Sequence, residues 1–142
     1  MKRRLITLLA ALMLLGALGV STASAAVPTP GETIPGNYQC PEGSTRIDPV
    51  ASGQYALAGG GWIQITVTST NMGPVFSFIT DGEHVVGSIV VKGGPNYHVY
   101  IFPGGVTSAE GLHAPLNAAN GKWYGLSHLC IESEKKDEEP PK

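Results

Sequence analysis

The sequence predicts an all-β domain, an antiparallel β-sandwich, with an open β-barrel as the alternative architecture. The first reason is a series of short apolar runs, some of which alternate between apolar and polar positions. The second is glycine, which occurs in pairs and triplets between these runs, as at residues 59–61, 93–94 and 104–105. The third is that Gly and Pro recur too often for a long apolar stripe at helical spacing. We therefore expect about seven short strands and no helix.

Turn signals separate most of the predicted strands. Residues 54–58 form a short strand, which the glycine triplet joins to residues 62–68, where every second side chain is apolar and shares one face. A turn at residues 71–74 leads to residues 75–80. An Asp-Gly pair at residues 81–82 then indicates a hairpin turn into residues 84–91, which are apolar on both faces, as in a central strand. Composition alone assigns the last two strands, residues 97–102 and 126–131.

The first 26 residues are predicted to be an export signal. Three basic residues precede an apolar run at residues 5–20, and Ala23-Ser24-Ala25 provides the small residues that a signal peptidase recognises. A retained membrane anchor is the alternative, but the run is shorter than the ~20 residues that span a bilayer. We therefore expect a protein that is secreted, with the bacterial cell surface as one destination and with no membrane insertion after cleavage.

Composition limits the partners of the exported chain. Cleavage leaves 116 residues, enough for one domain, with six basic and eleven acidic side chains and a formal charge of −5. Between residues 27 and 131 only Arg46, Lys92 and Lys122 are basic. Such a chain lacks the basic surface that nucleic acids and anionic membranes require. We expect a monomer that binds neither.

Both ends of the domain are expected to lie outside its core. Residues 27–37 are rich in Pro and Gly and predict an extended leader, so the β domain is placed at residues 38–131. Residues 132–142 are charged, lack aromatic residues and predict a disordered tail. Residues 103–124 show no periodicity. They contain either a short element that the pattern hides or a functional loop.

The chain has two cysteines, Cys40 and Cys130. In an oxidising compartment the simplest arrangement is one disulfide between them. Two free thiols or a bridge between two molecules are the alternatives.

No catalytic or cofactor motif stands out. The four histidines are 14, 15 and 15 residues apart, which matches no compact zinc pattern, and we expect them to bond to backbone groups. His98, His113 and His128 remain weak metal candidates. No G-x-S-x-G sequence is present, and Ser127 and His128 are adjacent, so on one strand they would face opposite sides. The prediction is a protein that is not an enzyme and has no cofactor.

Large aromatic side chains with polar tips are the candidate ligand-binding groups, because such side chains suit a wet interface. The candidates are Trp62, Tyr97, Tyr100, Trp123 and Tyr124. The alternative for Trp123 and Tyr124 is packing beneath the loop at residues 103–124. These features favour a non-catalytic binding module with a glycan or protein ligand. A structural spacer of the envelope without a specific ligand is the second hypothesis, and a metal-dependent or hydrolytic enzyme is the third.

Three short motifs carry a resemblance. They are KGGPN at residues 92–96, GLHAP at residues 111–115 and YGLSHxC at residues 124–130, with Cys40-Pro41 and Asp48-Pro49 upstream. With these motifs the chain resembles, over about residues 38–132, an uncharacterised β-rich module that recurs in secreted and cell-surface bacterial proteins. The resemblance implies these domain limits, the Cys40–Cys130 pairing and an ordered segment at residues 103–124. It implies no activity.

Overall fold

A computed structural model describes residues 28–136, which form two antiparallel β-sheets and a small hairpin. The predicted signal peptide and the end of the predicted tail, residues 137–142, lie outside the described residues. In chain order the strands are β1 (Ile34–Pro35), β2 (Thr45–Ile47), β3 (Gly53–Ala56), β4 (Trp62–Thr70), β5 (Gly73–Thr80), β6 (His84–Gly93), β7 (Asn96–Val106), β8 (Ser108–His113), β9 (Leu116–Asn117), β10 (Lys122–Trp123) and β11 (His128–Lys135).

The sheets form an open sandwich. Sheet 1 has the order β1-β7-β6-β11-β2, sheet 2 has the order β3-β4-β5-β8, and β9 pairs with β10. Every pairing is antiparallel. The predicted fold class, an all-β sandwich, is therefore confirmed. The central position predicted for residues 84–91 is also confirmed, because β6 has β7 on one side and β11 on the other.

The core lies between the two sheets. On β4 the period-two pattern works as predicted, because Ile63 and Ile65 are buried while Gln64 and Thr66 are exposed. Sheet 1 contributes every second side chain of its strands, and loop residues close the ends. The buried cluster comprises Ile47, Leu57, Ile63, Ile65, Phe76, Phe78, Val86, Ile89, Val91, Tyr100, Phe102, Ala109, Leu112, Ala114, Leu129 and Ile131.

The Asp-Gly pair does not form a hairpin turn, which corrects the prediction. β5 belongs to sheet 2 and β6 to sheet 1, so residues 81–83 carry the chain from one sheet to the other. The Asp81 carboxylate holds this corner, because its Oδ1 accepts hydrogen bonds from the backbone N–H of Glu83 (2.9 Å) and of His84 (3.0 Å). An Asp-Gly pair favours the same local turn whether it joins two strands of one sheet or carries the chain from one sheet to the other. Only the pairing of the flanking strands distinguishes the two arrangements.

Residues 103–124, which showed no periodicity, contain β-structure. β7 runs four residues past its predicted end, and β8, β9 and β10 follow. The alternation is hidden because the β6–β7 register shifts between Val86, opposite Val106, and Ser88, opposite Ile101. Gly105 lies in this bulge with φ of +80°, and a Cβ there would stand 2.6 Å from a methyl group of Val85.

The ends of the domain are more ordered than predicted. The leader is exposed but adds β1 to the edge of sheet 1, where Ile34 lies opposite Tyr97. β11 continues to Lys135 in register with β6, so the prediction of disorder is wrong for residues 132–135. Ladder hydrogen bonds form between backbone groups, so the charged side chains on this extension do not prevent pairing.

The disulfide joins Cys40 to Cys130 across 90 residues. It links the segment that follows β1 to β11, which lies between β6 and β2. A disulfide is consistent with an oxidising, extracellular compartment.

Candidate functional site

The five aromatic candidates do not converge on one surface. Tyr100 is completely buried, so its ring is not available to a ligand. Trp62 is half-buried on β4 of sheet 2, whereas Tyr97 is half-buried on β7 of sheet 1. Tyr97 has a partner that the sequence did not indicate, because its ring centroid lies 5.2 Å from that of Tyr38.

Trp123 and Tyr124 pack against the domain. The Trp123 ring is stacked on His113 at 3.8 Å between centroids with an angle of 7° between the planes. Tyr124 is half-buried and lies against the core cluster, and its ring also covers the Gly94 turn. This geometry agrees with the packing alternative for both residues.

Two of the candidate side chains, His98 and Tyr100, form a hydrogen-bond network with the backbone of His113 inside the sandwich. The His98 Nε2 lies 2.6 Å from the carbonyl oxygen of His113 and therefore donates to it, and the Tyr100 hydroxyl donates to the same oxygen at 3.3 Å. The backbone N–H of His113 donates to the Tyr100 hydroxyl at 3.0 Å. Burial lowers the pKa of His98, the positive form of His113 adds to this effect, and the hydrogen bond to the carbonyl opposes it. Burial likewise raises the pKa of Tyr100 to about 12, so both groups are neutral near pH 7.

A polar pocket of about 270 Å³ lies at the disulfide end of sheet 1. It is lined by Asn37, Tyr38, Gln39, Arg46, Asp48, Lys92, Ser127 and His128. Every one of these side chains can form hydrogen bonds, and Tyr38 adds an aromatic ring. We call it the polar pocket.

Strand register places the basic side chains of the pocket on one face. Lys92 on β6 lies opposite His128 on β11 and opposite Tyr97 on β7. Arg46 on β2 lies opposite Cys130, two residues from His128. The intervening residues of these strands face the core, and since side chains alternate between the two faces, this row faces outward.

The last residue of the leader, Asn37, and the two residues after it form the opposite wall of the pocket. Tyr38 lies against this row, because its carbonyl oxygen accepts a hydrogen bond from the His128 Nε2 at 3.3 Å. The disulfide at Cys40 holds the chain in place two residues later. The cover is close enough that Lys92, although it is on the outer face of the sheet, is only 5% exposed.

The charges in the polar pocket are unequal. Arg46 and Asp48 form an ion pair at 2.8 Å. Lys92 donates a hydrogen bond to the carbonyl oxygen of Gly94 and forms no ion pair with any residue between 28 and 136. Burial lowers the pKa of His128; the positive charges of Arg46 and Lys92 add to this effect, while the Tyr38 carbonyl and Asp48 oppose it. His128 is therefore neutral near pH 7, and the pocket carries two positive charges and one negative charge.

Two features of the sequence are signals of this pocket. Two of the three basic side chains between residues 27 and 131 are in it, and Lys92 interrupts an apolar strand. Ser127 and His128 both line the pocket. The argument from strand alternation does not apply to this pair, because β11 begins at His128 and Ser127 belongs to the preceding loop.

The three weak metal candidates do not form one cluster. His98 and His113 are neighbours in the buried network, with ring centroids 5.7 Å apart, whereas His128 lies in the polar pocket. In the described part of the chain, the group with metal-ligand geometry is Cys40, His128 and Cys130, whose ligand atoms lie within 4.8 Å of one another. The two sulfur atoms are bonded to each other, so the oxidised chain does not present the thiolates that would bind a metal.

Comparison with known proteins adds no relative. No family model matches this chain, and no curated protein or solved structure matches it significantly. Among residues 28–136 there is no helix with the length and hydropathy needed to cross a bilayer. The candidate site therefore rests on the geometry of the polar pocket.

Proposed function

We propose that this protein is a secreted, non-catalytic binding module of the cell surface or extracellular space, and that the polar pocket binds a glycan. The observation that carries the proposal is a concave site whose lining residues all have hydrogen-bonding side chains. A sugar offers hydroxyl groups that both donate and accept hydrogen bonds. The amides of Asn37 and Gln39, which also donate and accept, match these groups.

The size and polarity of the pocket favour a glycan over a protein ligand. At about 270 Å³ the pocket suits one sugar residue with its substituents. A stable protein interface covers about 800 Å² per partner and has an apolar centre. The large exposed apolar side chains of this domain are instead spread over several elements. They are Ile34, Met72, Ile79, Ile101 and Leu116.

The hydrogen bonds of the pocket favour binding over hydrolysis. A serine nucleophile needs a histidine that accepts its proton. In the described part of the chain the Ser127 hydroxyl has no hydrogen bond to His128, whose Nε2 donates to the Tyr38 carbonyl. The pocket also contains a paired carboxylate, Asp48, whose partner is Arg46 and not the histidine.

A glycan array probed with the oxidised, exported protein tests the proposal. We expect retention of a defined set of glycans and its loss in the double variant Asn37→Ala/Gln39→Ala, whose exposed side chains line the pocket. The matched control is Gln54→Ala/Gln64→Ala, which removes two exposed amides from sheet 2 and is expected to keep binding.

Thermal unfolding of both double variants should match that of the parent protein. A silent array, with no glycan retained at high protein density, would refute the proposal. It would leave the protein ligand or the ligand-free spacer, and a pull-down against envelope fractions separates these two. If Trp123→Ala abolished glycan binding while the melting temperature stayed unchanged, the binding site would instead be the Trp123–His113 stack.

A further inference from the structure

We infer that the polar pocket recognises an anionic group, a carboxylate or a phosphate ester, and therefore that its glycan is acidic. This inference rests on the proposed function and specifies the ligand of the same site. The ligand oxygens would lie between the Lys92 ammonium and the Arg46 guanidinium, the lysine and the arginine among the residues that line the pocket.

Lys92 is the main argument for an anion. The residue as a whole is 5% exposed and lines the pocket, and a charged group that is largely screened from bulk water is stabilised by a compensating charge or by a full set of hydrogen bonds. Its three N–H donors have one acceptor, the neutral carbonyl of Gly94. No carboxylate within the described residues forms an ion pair with it. An anion in the pocket would supply the missing charge and the missing acceptors.

Arg46 keeps donors free for a ligand. Its Nη2 binds one oxygen of Asp48, and its side chain is 48% exposed. A guanidinium has five N–H donors in one plane and can hold a carboxylate or phosphate while it remains paired with Asp48. With His128 neutral, the pocket has a net charge of +1 in a protein whose formal net charge is −2.

Charge elsewhere on sheet 1 directs an anion to this pocket. A larger groove of about 630 Å³ is lined by residues of β6, β7 and β11 and by residues 42–44, and three of its lining residues are glutamates. They are Glu42, Glu132 and Glu134. Because like charges repel, an acidic ligand is disfavoured at the groove and favoured at the polar pocket.

The alternative explanation of Lys92 is structural, since its ammonium bonds the turn between β6 and β7. A titration of isotope-labelled, oxidised protein followed by NMR separates the two explanations. The probes are glucuronate, glucose 6-phosphate and glucose, which share the sugar ring and differ in charge. We expect the two acidic sugars to shift the backbone signals around Lys92 and Arg46, and glucose to bind at least tenfold more weakly.

The variants Lys92→Met and Arg46→Gln should each weaken binding of the acidic sugars at least tenfold and bring their affinity close to that of glucose. Lys122→Met, which removes the third basic side chain of the domain body, is the matched control and should bind like the parent protein. If Lys92→Met does not fold, Arg46→Gln and the weakening of binding by salt still test the inference.

The outcomes are distinguishable. Binding of glucuronate alone identifies a carboxylate, and binding of glucose 6-phosphate alone identifies a phosphate; either result supports the inference. Equal binding of glucose and both acidic sugars, unchanged by Lys92→Met, overturns the inference and leaves the proposed glycan module intact. Binding of a short polyglutamate peptide without any sugar overturns the acidic glycan as ligand. Failure of all three sugars together with a silent glycan array overturns both proposals.

Discussion

Removal of the disulfide should destabilise the domain strongly without unfolding it. Cys40 and Cys130 are 90 residues apart, so the bond closes a loop that covers nearly the whole domain. On the chain-entropy model, opening such a loop lowers the free energy of unfolding by about 4–5 kcal/mol at 25 °C. For a domain of this size, that loss corresponds to a fall in Tm of roughly 20 °C.

The domain should nevertheless remain folded. β11 keeps its ladders to β6 and β2, and Leu129 and Ile131 keep their places in the core. The segment around Tyr38 loses its covalent link to β11 and keeps the 3.3 Å hydrogen bond to His128, the ring contact with Tyr97 and the pairing of β1 with β7. The reduced protein is therefore expected to lose ligand affinity in the polar pocket as well as stability.

Urea unfolding followed by circular dichroism measures the effect. The oxidised protein is compared with the reduced protein, which keeps both sulfur atoms, and with Cys40→Ala/Cys130→Ala. A loss below about 1 kcal/mol in the reduced protein would refute the chain-closure argument. If the circular dichroism of the reduced protein already showed an unfolded chain in the absence of urea, the conclusion that the core alone maintains the sandwich would be refuted.

Three further predictions concern the turn, the core and the buried network. Gly94→Ala should lower the free energy of unfolding by roughly 2–4 kcal/mol, because φ at this position is +57° and the new Cβ would stand 2.5 Å from the Tyr124 ring. Ile89→Ala should cost about 2–5 kcal/mol in chemical denaturation, because Ile89 is completely buried on the central strand. The Tm should fall as the pH drops below 6.5, and less so in His98→Gln. In the unfolded chain His98 binds a proton with the ordinary pKa of 6.5, whereas burial lowers its pKa in the folded state. The unfolded state therefore binds more protons as the pH falls, so the contribution of the neutral His98 to the free energy of unfolding is fully present only above pH 6.5 and is lost below it.

Each of these has its own control. Gly121→Ala also has a positive φ, +72°, but no atom near the new Cβ, so it should cost only about 1–2 kcal/mol. If both glycine variants lost the same free energy of unfolding, the contact between the new Cβ and Tyr124 would contribute nothing to the loss in Gly94→Ala. Ile101→Ala, at a side chain that is 68% exposed, should change stability by less than about 0.5 kcal/mol. An identical pH dependence of Tm in the parent protein and His98→Gln would contradict the assignment to that imidazole.

Strands with regular alternation could be predicted from the sequence, and irregular ones could not. β4 was visible because Ile63 and Ile65 alternate with polar residues. β8 was hidden by a register shift opposite residues 76–78 of β5. β2, a strand of three residues, is too short for a periodic signal, and it forms because it pairs with β11.

The candidate site was less predictable than the fold. Aromatic type alone singled out Tyr100, which the structure buries, because a large ring serves a core as well as it serves a binding surface. The polar pocket combines residues from four stretches of the chain that are up to 91 residues apart: residues 37–39, residues 46–48, Lys92 on β6 and residues 127–128. No local pattern reports such an arrangement.

The sequence by itself determined that this chain forms short antiparallel strands, because alternation and glycine-rich turns are local properties. Its two cysteines made one disulfide the simplest pairing. Only the tertiary structure decided that residues 81–83 join two sheets and that Arg46 and Lys92 line one pocket. The physical reason is that sheet order and register depend on backbone pairing between strands that are far apart in the chain. This pairing brings side chains together in space, and their separation along the chain does not reveal it.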